Sequence, residues 1–275
     1  MVGRLSLAAL AMVILLVSAR PSEARDGVLE INQACATLLG CFPGDAPGFP
    51  VEITSTAGGS SFRLTSSLEV SSGDITAIQM DRDGITLDLG GFQIFGPGVA
   101  GTGKGVDAVS RDEITIRNGS VVRMGDDGVA VGRRARLQDL YVAESGGDGI
   151  VTNLFSIVQR CSVDENGGYG IDTNGAVVVA NRASYGGIDG IRAGNGSVVI
   201  RNVSRYNDED GIQVRFDSLV LDNAVRRNSG SALHVPAGTS GYGGNAISSS
   251  GGAPTVTGSA VELGGNMCNS TPSCP

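Results

Sequence analysis

A glycine followed by a β-branched residue recurs every 20 to 23 positions through the middle of this 275-residue chain. The instances are Gly105-Val106, Gly128-Val129, Gly149-Ile150, Gly170-Ile171, Gly190-Ile191 and Gly211-Ile212. Self-similarity at a fixed short period means one structural unit stacked many times, each unit burying its apolar face only against its neighbours. An asparagine runs in step with the glycine. Asn118, Asn181, Asn202, Asn223, Asn245 and Asn266 are separated by 63, 21, 21, 22 and 21 residues, the first interval being three periods.

One unit, Val198 to Val214, reads VVIRNVSRYNDEDGIQV. An apolar strand runs into Asn202, a polar turn follows over Arg205 to Asp210, and Gly211 opens a second short strand. No stretch holds helical apolar spacing over three turns, and β-branched residues, Gly, Asn and Asp are strand and turn chemistry. The second strand carries apolar pairs two residues apart: Val129/Val131, Ile150/Thr152, Ile171/Thr173, Ile191/Ala193, Ile212/Val214 and Leu233/Val235. Period-two alternation points both members to one face. Coils stacked about 4.8 Å apart then build a narrow aliphatic core.

The asparagine column is expected to face inward. An amide in a tight turn hydrogen-bonds its neighbours above and below and satisfies backbone that would otherwise be buried unpaired. Leu140 and Cys161 occupy the phase-matched position in two coils. Asn118-Gly-Ser120, Asn195-Gly-Ser197, Asn202-Val-Ser204 and Asn269-Ser-Thr271 match glycosylation sequons. For Asn118 and Asn202 the ladder reading is preferred, because a ladder amide cannot carry a glycan.

The DGI or DGV triplets at Asp127–Val129, Asp148–Ile150, Asp189–Ile191 and Asp210–Ile212, with ITLDLGGFQIFGPG over Ile85–Gly98 and CFPGDAPGFPVEI over Cys41–Ile53, carry a resemblance. Over about residues 50 to 267 the chain is similar to the right-handed parallel β-helix proteins of the pectin-lyase-like superfamily. The resemblance implies an all-β solenoid of about 20–23 residues per coil. Rival repeats fit worse: the leucines of a leucine-rich repeat, a period of six, and repeated GGxGxD are all missing. The organisation expected is a signal peptide over 1–24, an N-terminal cap over 25–50, the parallel β-helix over 51–267 and a C-terminal cap over 268–275. The N-terminal cap holds a short amphipathic helix within 28–40. Covers are needed because an open solenoid edge templates aggregation.

Arg4, the apolar run Leu5 to Val17 and the small residues after it have the order of a secretory signal, with cleavage after Ala24 or Ala19. The run is too short to span a bilayer. The mature protein is therefore expected outside the cytoplasm, secreted, periplasmic or at the cell surface, with no membrane span. Four cysteines fit an oxidising compartment, and the local pairing, Cys35–Cys41 and Cys268–Cys274, needs no long-range closure. Cys161 lies within a repeat and is expected to be a buried, inert thiol. Removing Arg4, Arg20 and Glu23 takes the formal charge from −8 to about −9. That argues against nucleic acid or an anionic membrane as partner, and makes a polyanionic glycan awkward unless cations bridge.

Chemistry is sparse. The residue before the repeat glycine is Asp127, Asp148, Tyr169, Asp189 or Asp210, and Asp126, Asp164, Glu165, Asp208 and Glu209 share that turn region. Stacked carboxylates can share a calcium ion, here at Asp189 and Asp210, or act as an acid/base pair on a glycoside; Asp before Gly also favours a turn for local reasons. Tyr185 and Tyr206, 21 apart, are placed to stack beside the acidic turns as a glycan-binding surface. The candidate ligand-binding residues are therefore Asp126, Asp127, Asp148, Tyr185, Asp189, Tyr206, Asp208 and Asp210. No catalytic residue is assigned: Gly-His-Gly is absent, the single histidine, His234, stands in Leu-His-Val, and tryptophan is absent. No cofactor is required by any motif. The reading is a secreted, non-catalytic β-helix that binds an extracellular or envelope polysaccharide. The alternative is a polysaccharide lyase, hydrolase or epimerase.

Overall fold

The computed structural model describes residues 27–236, 239–248, 255–269 and 274. The expected signal segment, 1–24, lies outside the described residues, as does most of the expected C-terminal cap.

Each coil contributes three short strands, and every strand pairs in parallel with its equivalents one coil away. Sheet 1 begins at the repeat glycine and stacks ten strands, from Val51–Ile53 through Ile171–Thr173 and Ile191–Ala193 to Val256–Thr257. Sheet 2 includes Arg136–Gln138, Ile157–Gln159, Val177–Val179 and Val198–Ile200. Sheet 3 includes Tyr141–Ala143, Ser162–Asp164, Arg182–Ser184 and Val203–Arg205. Sheets 2 and 3 join into one 19-stranded unit because Thr115–Val122 and Arg136–Ala143 run through the corner between them. The architecture is the expected right-handed parallel β-helix of about ten turns. The first coils are longer than expected. Val51 pairs with Ile78 and Ile78 with Val106, so those coils take 27 and 28 residues. From Val106 onward the register advances by 20 to 23 residues per coil.

The apolar pairs of sheet 1 all face inward. Ile150, Ile171, Ile191, Ile212 and Leu233 are fully buried, and sheets 2 and 3 add Val158, Val163, Val178 and Val199 at the same depth. Burying each such side chain contributes about 1.5–3 kcal/mol. Where Thr replaces an aliphatic, the hydroxyls of Thr152 and Thr173 satisfy each other at 2.6 Å.

This core explains the glycine beat. A Cβ on Gly149 would stand 2.2 Å from Val163 Cγ1 and 2.7 Å from the Gly170 carbonyl oxygen; on Gly128 it would stand 2.2 Å from Val142 Cγ1. The glycine lets sheet 1 close against the inner side chains of sheet 3.

Three corners per coil turn on a single residue with positive φ. Between sheets 2 and 3 these are Asn118, Asp139, Arg160, Ala180, Arg201 and Asp222. After sheet 3 they are Arg123, Glu144, Glu165, Tyr185, Tyr206 and Arg227. Before sheet 2 they include Glu113, Arg134, Phe155 and Asp217. Left-handed backbone costs a non-glycine residue about 1–2 kcal/mol. The next residue points inward, and its side chain often accepts the backbone N–H of the preceding coil. Asn202 Oδ1 accepts from Asn181 N at 2.8 Å and Asn223 Oδ1 from Asn202 N at 2.8 Å, and the series extends from Cys161 N to Asn266. The ladder amides of Asn181, Asn202, Asn223, Asn245 and Asn266 are buried, as expected.

Asn118 is a correction. The register pairs Gly119, not Asn118, with Leu140. Asn118 sits at the left-handed corner (φ 61°), exposed, and donates from Nδ2 to Asp88 at 3.1 Å. The apparent 63-residue interval hides one coil of 20 residues, Cys161 to Asn181, which shifts the phase by one. The argument against a glycan at Asn118 therefore falls.

At the N-terminal end, Leu29–Ile31 is a strand paired with Phe62–Leu64 in sheet 2, so the stack reaches into the segment expected to be only a cap. The helix expected within 28–40 spans Gln33–Leu38. Asn32 caps it, its Oδ1 accepting from Cys35 N at 3.0 Å. Both expected disulfides, Cys35–Cys41 and Cys268–Cys274, are formed. Cys161 is a buried free thiol that burial pushes up to about 12 in pKa, an inert group.

Candidate polar groove and tyrosine corner

The outward residues of sheet 1 form a column fixed by register: Asp107, Ala130, Val151, Asp172, Arg192, Gln213 and His234. Its centre is a tight cluster. Arg192 makes a two-point contact with Asp172, Nε to Oδ1 at 2.8 Å and Nη2 to Oδ2 at 2.5 Å. Its third nitrogen donates to Tyr169 Oη at 2.9 Å, and the guanidinium lies 3.9 Å from that ring centroid. The Asp172 hydrogen bond holds the Arg192 pKa above its ordinary value, so this arginine is a fixed cation and no proton acceptor. A groove of about 410 Å³ opens beside it, lined by Thr152, Asn153, Asp172, Asn174, Asn195 and Arg215, among others.

The acidic turn column flanks this face. Asp127 Oδ1 accepts from Asp148 N at 2.9 Å, Asp148 Oδ1 from Tyr169 N at 2.7 Å, Asp189 Oδ1 from Asp210 N at 2.8 Å and Asp210 Oδ1 from Ser231 N at 2.7 Å. One oxygen of each aspartate thus completes the backbone of the next coil, which is why Asp precedes the repeat glycine. Burial raises the pKa of Asp148 and of Asp189 to about 6 each, against the lowering effect of those N–H donors and of Arg192. Asp126 and Asp127 share Lys104 as counter-ion. Asp208 is exposed on its turn, and His234 Nδ1 lies 3.8 Å from Asp210 Oδ2. Among the described residues no group of three or more His, Cys, Asp or Glu side chains is placed to hold a metal.

Tyr185 and Tyr206 stack as expected, with centroids 5.1 Å apart and ring planes 3° from parallel. Their setting differs from the expectation. They stand at the corner after sheet 3, and Tyr206 meets arginines: Arg227 donates to its Oη, and Arg205 and Arg227 lie 5.8 and 5.6 Å from its ring centroid. The stack also spends the inner ring faces on each other.

Asp172, Arg192, Asn153 and Asn174 are not among the candidate residues drawn from the sequence. Their signal was present: Asn153, Asn174 and Asn195 are spaced by 21, a third asparagine beat. A second buried amide column was also missed. Asn166, Asn207 and Asn228 accept from Ser145 N, Gly186 N and Asn207 N at 3.0, 2.9 and 3.0 Å. It accounts for Asn207 in the crowded turn before Asp210.

No family model and no curated protein matches the chain. Among solved structures it is similar to the A-module of the Azotobacter vinelandii mannuronan C-5 epimerase AlgE4, at 13% identity and a TM-score of 0.48, over 90% of this chain and 82% of that one. It is similar to XylC in its complex with xylose, at 14% identity and a TM-score of 0.44, over 74% of this chain and 38% of that one. It is similar to the Dettilon tailspike protein, at 11% identity and a TM-score of 0.43, over 87% of this chain and 61% of that one.

Proposed function

We propose that the protein is a β-helical polysaccharide-binding protein that holds a glycan in the groove on sheet 1 without cleaving it. The observation that carries this is the groove lining. Asn153, Asn174, Asn195, Asp172, Arg192 and Arg215 offer planar donors and acceptors along several coils, which suits a chain of hydroxyl-bearing rings. Arg192 is held by Asp172 and Tyr169, so the donors it presents are pre-oriented. Two disulfides fit an oxidising compartment, and no helix among the described residues is long and apolar enough to cross a membrane.

One observation favours the second reading, a lyase, hydrolase or epimerase. Asp148 and Asp189 carry pKa values of about 6, within the working range of a proton-transfer group. Against it, each already accepts a backbone N–H, and Arg192 is a fixed cation that takes up no proton.

A panel of neutral and acidic oligosaccharides titrated calorimetrically, with products followed by reducing-sugar and unsaturated-uronate assays, separates the two. Binding without turnover, weakened about tenfold or more in the Asn174→Ala/Asn195→Ala variant, is expected. No binding, or binding indifferent to those substitutions, overturns the groove. Turnover abolished by Asp189→Asn replaces the binding reading with the catalytic one.

A further inference from the structure

We infer that Arg205, Arg226 and Arg227, with the Tyr206 hydroxyl and Ser248, form a second binding site, on the outer edge of sheet 3, for a phosphate or sulfate group. Several arginines elsewhere on this solenoid find a carboxylate one coil away. Arg133 meets Asp112 at 2.8 Å, Arg160 meets Asp139 at 2.8 Å, Arg182 meets Asp164 at 2.9 Å and Arg192 meets Asp172. The sheet 3 column breaks that habit. Its register runs Asp164, Ser184, Arg205, Arg226, Ser248, placing two guanidiniums on adjacent rungs with Arg227 next to the second.

None of the three has a carboxylate within ion-pair distance among the described residues. Adjacent rungs are about 4.8 Å apart, a spacing at which like charges directly opposite destabilise a sheet. The Nε of Arg205 is buried and has no hydrogen-bond partner. The Arg205 guanidinium therefore has no internal acceptor at this nitrogen to offset its charge, and the residue lines an open concavity. Arg205, Tyr206, Arg226, Arg227 and Ser248 line a concavity of about 380 Å³, larger than a single oxoanion needs.

Three cations and two hydroxyls suit a compact tetrahedral oxoanion with oxygens in several directions. A planar carboxylate is satisfied by one guanidinium fork, whereas a tetrahedral group can accept from forks on two rungs at once. The net charge of −8 argues against a basic protein as a whole, but not against this local field. The site shares no lining residue with the groove proposed above and stands or falls independently of it.

The test uses the whole mature chain at constant ionic strength, with sulfate or inorganic phosphate exchanged for chloride. Both anions also stabilise proteins generally by exclusion, so the parent is compared with Arg226→Gln/Arg227→Gln. The parent is expected to melt at least about 2 °C higher in 20 mM anion than the variant does, with the two equal, or the variant higher, in chloride. Arg201→Gln, an exposed corner arginine, should keep the full response. Titration of tyrosine fluorescence with glucose 6-phosphate, glucose 6-sulfate and glucuronate gives the second readout. Esters that bind at least as tightly as the inorganic ions assign the site to a phosphorylated or sulfated sugar, and inorganic ions alone assign it to the free anion. Glucuronate binding as tightly as the esters, an anion response that survives the double substitution, or a variant equally destabilised with and without anion each overturns the proposal.

Discussion

Single side chains complete the backbone of this protein at its corners. Asn202 is the clearest case. Its Oδ1 accepts from Asn181 N, and its Nδ2 donates to the carbonyls of Val178 and Ile200 and to Asn223 Oδ1, all while the residue is 1% exposed. Asn202→Ala strands several buried polar groups at once, and chemical denaturation should show a loss of about 2–4 kcal/mol. Asn118→Ala, at an exposed left-handed corner with one hydrogen bond to Asp88, should cost less, about 0.5–1 kcal/mol. Equal losses in the two variants would return Asn118 to the ladder. The ladder was legible in the sequence from Asn181 onward because interval and residue type agree there. It was misread at Asn118 because a coil one residue short is invisible in a list of intervals.

Within one coil, the glycine before each sheet 1 strand decides how closely three strands can pack. The sequence shows the beat, and a turn glycine needing positive φ is the usual reading. These glycines instead sit where a Cβ would strike the core: Gly149 against Val163 Cγ1 at 2.2 Å, but Gly170 against Ala183 Cβ only at 3.1 Å. The carbonyl of the next coil crowds both positions, at 2.7 and 2.5 Å. Gly149→Ala is therefore expected to cost about 1–3 kcal/mol, and Gly170→Ala measurably less, in the same denaturation assay. The reverse order would mean that the carbonyl contact, not the facing side chain, sets the limit. Position 232, phase-equivalent to these glycines, already carries a buried alanine, which shows that a coil can adjust. The positive-φ corners belong to the same scale and at many positions carried no signal. Arg160, Glu165, Tyr185 and Phe155 are not residues that announce left-handed backbone, and only the stacking of neighbouring coils holds them there.

For the molecule as a whole, the carboxylate turns link stability to pH. Asp148 and Asp189 titrate near 6 in the folded chain, against an ordinary value of 3.8. A raised folded pKa means the protonated form is favoured in the native state. The stabilisation is complete below the ordinary value and is lost as pH rises through about 6. The melting temperature should thus fall between about pH 4 and 6.5 from this source. Asp148→Asn keeps the Oδ1 acceptor for Tyr169 N and removes the charge. It should flatten the profile and raise the midpoint at pH 7 by roughly 2–4 °C, the effect of about 1 kcal/mol in a domain of this size. A lower midpoint at pH 7 would show that the ionised carboxylate is needed. Asp139, whose carboxyl the hydrogen bond from Arg160 holds below the usual range, acts in the opposite sense but only at lower pH, so the two effects separate.

The sequence by itself determined that the chain stacks coils, that the interior is aliphatic, that one asparagine column faces inward and that the end cysteines pair locally. All of these are periodic or short-range, and a period survives in one dimension. Tertiary structure alone decided which side chains meet across coils. Tyr169, Asp172 and Arg192 converge because 20- and 21-residue coils bring positions three residues out of phase to one face. Arg205, Arg226 and Arg227 crowd one edge because sheet register, not sequence neighbourhood, sets their spacing. Contacts of that kind depend on phase to a single residue, and phase is what a list of intervals loses first.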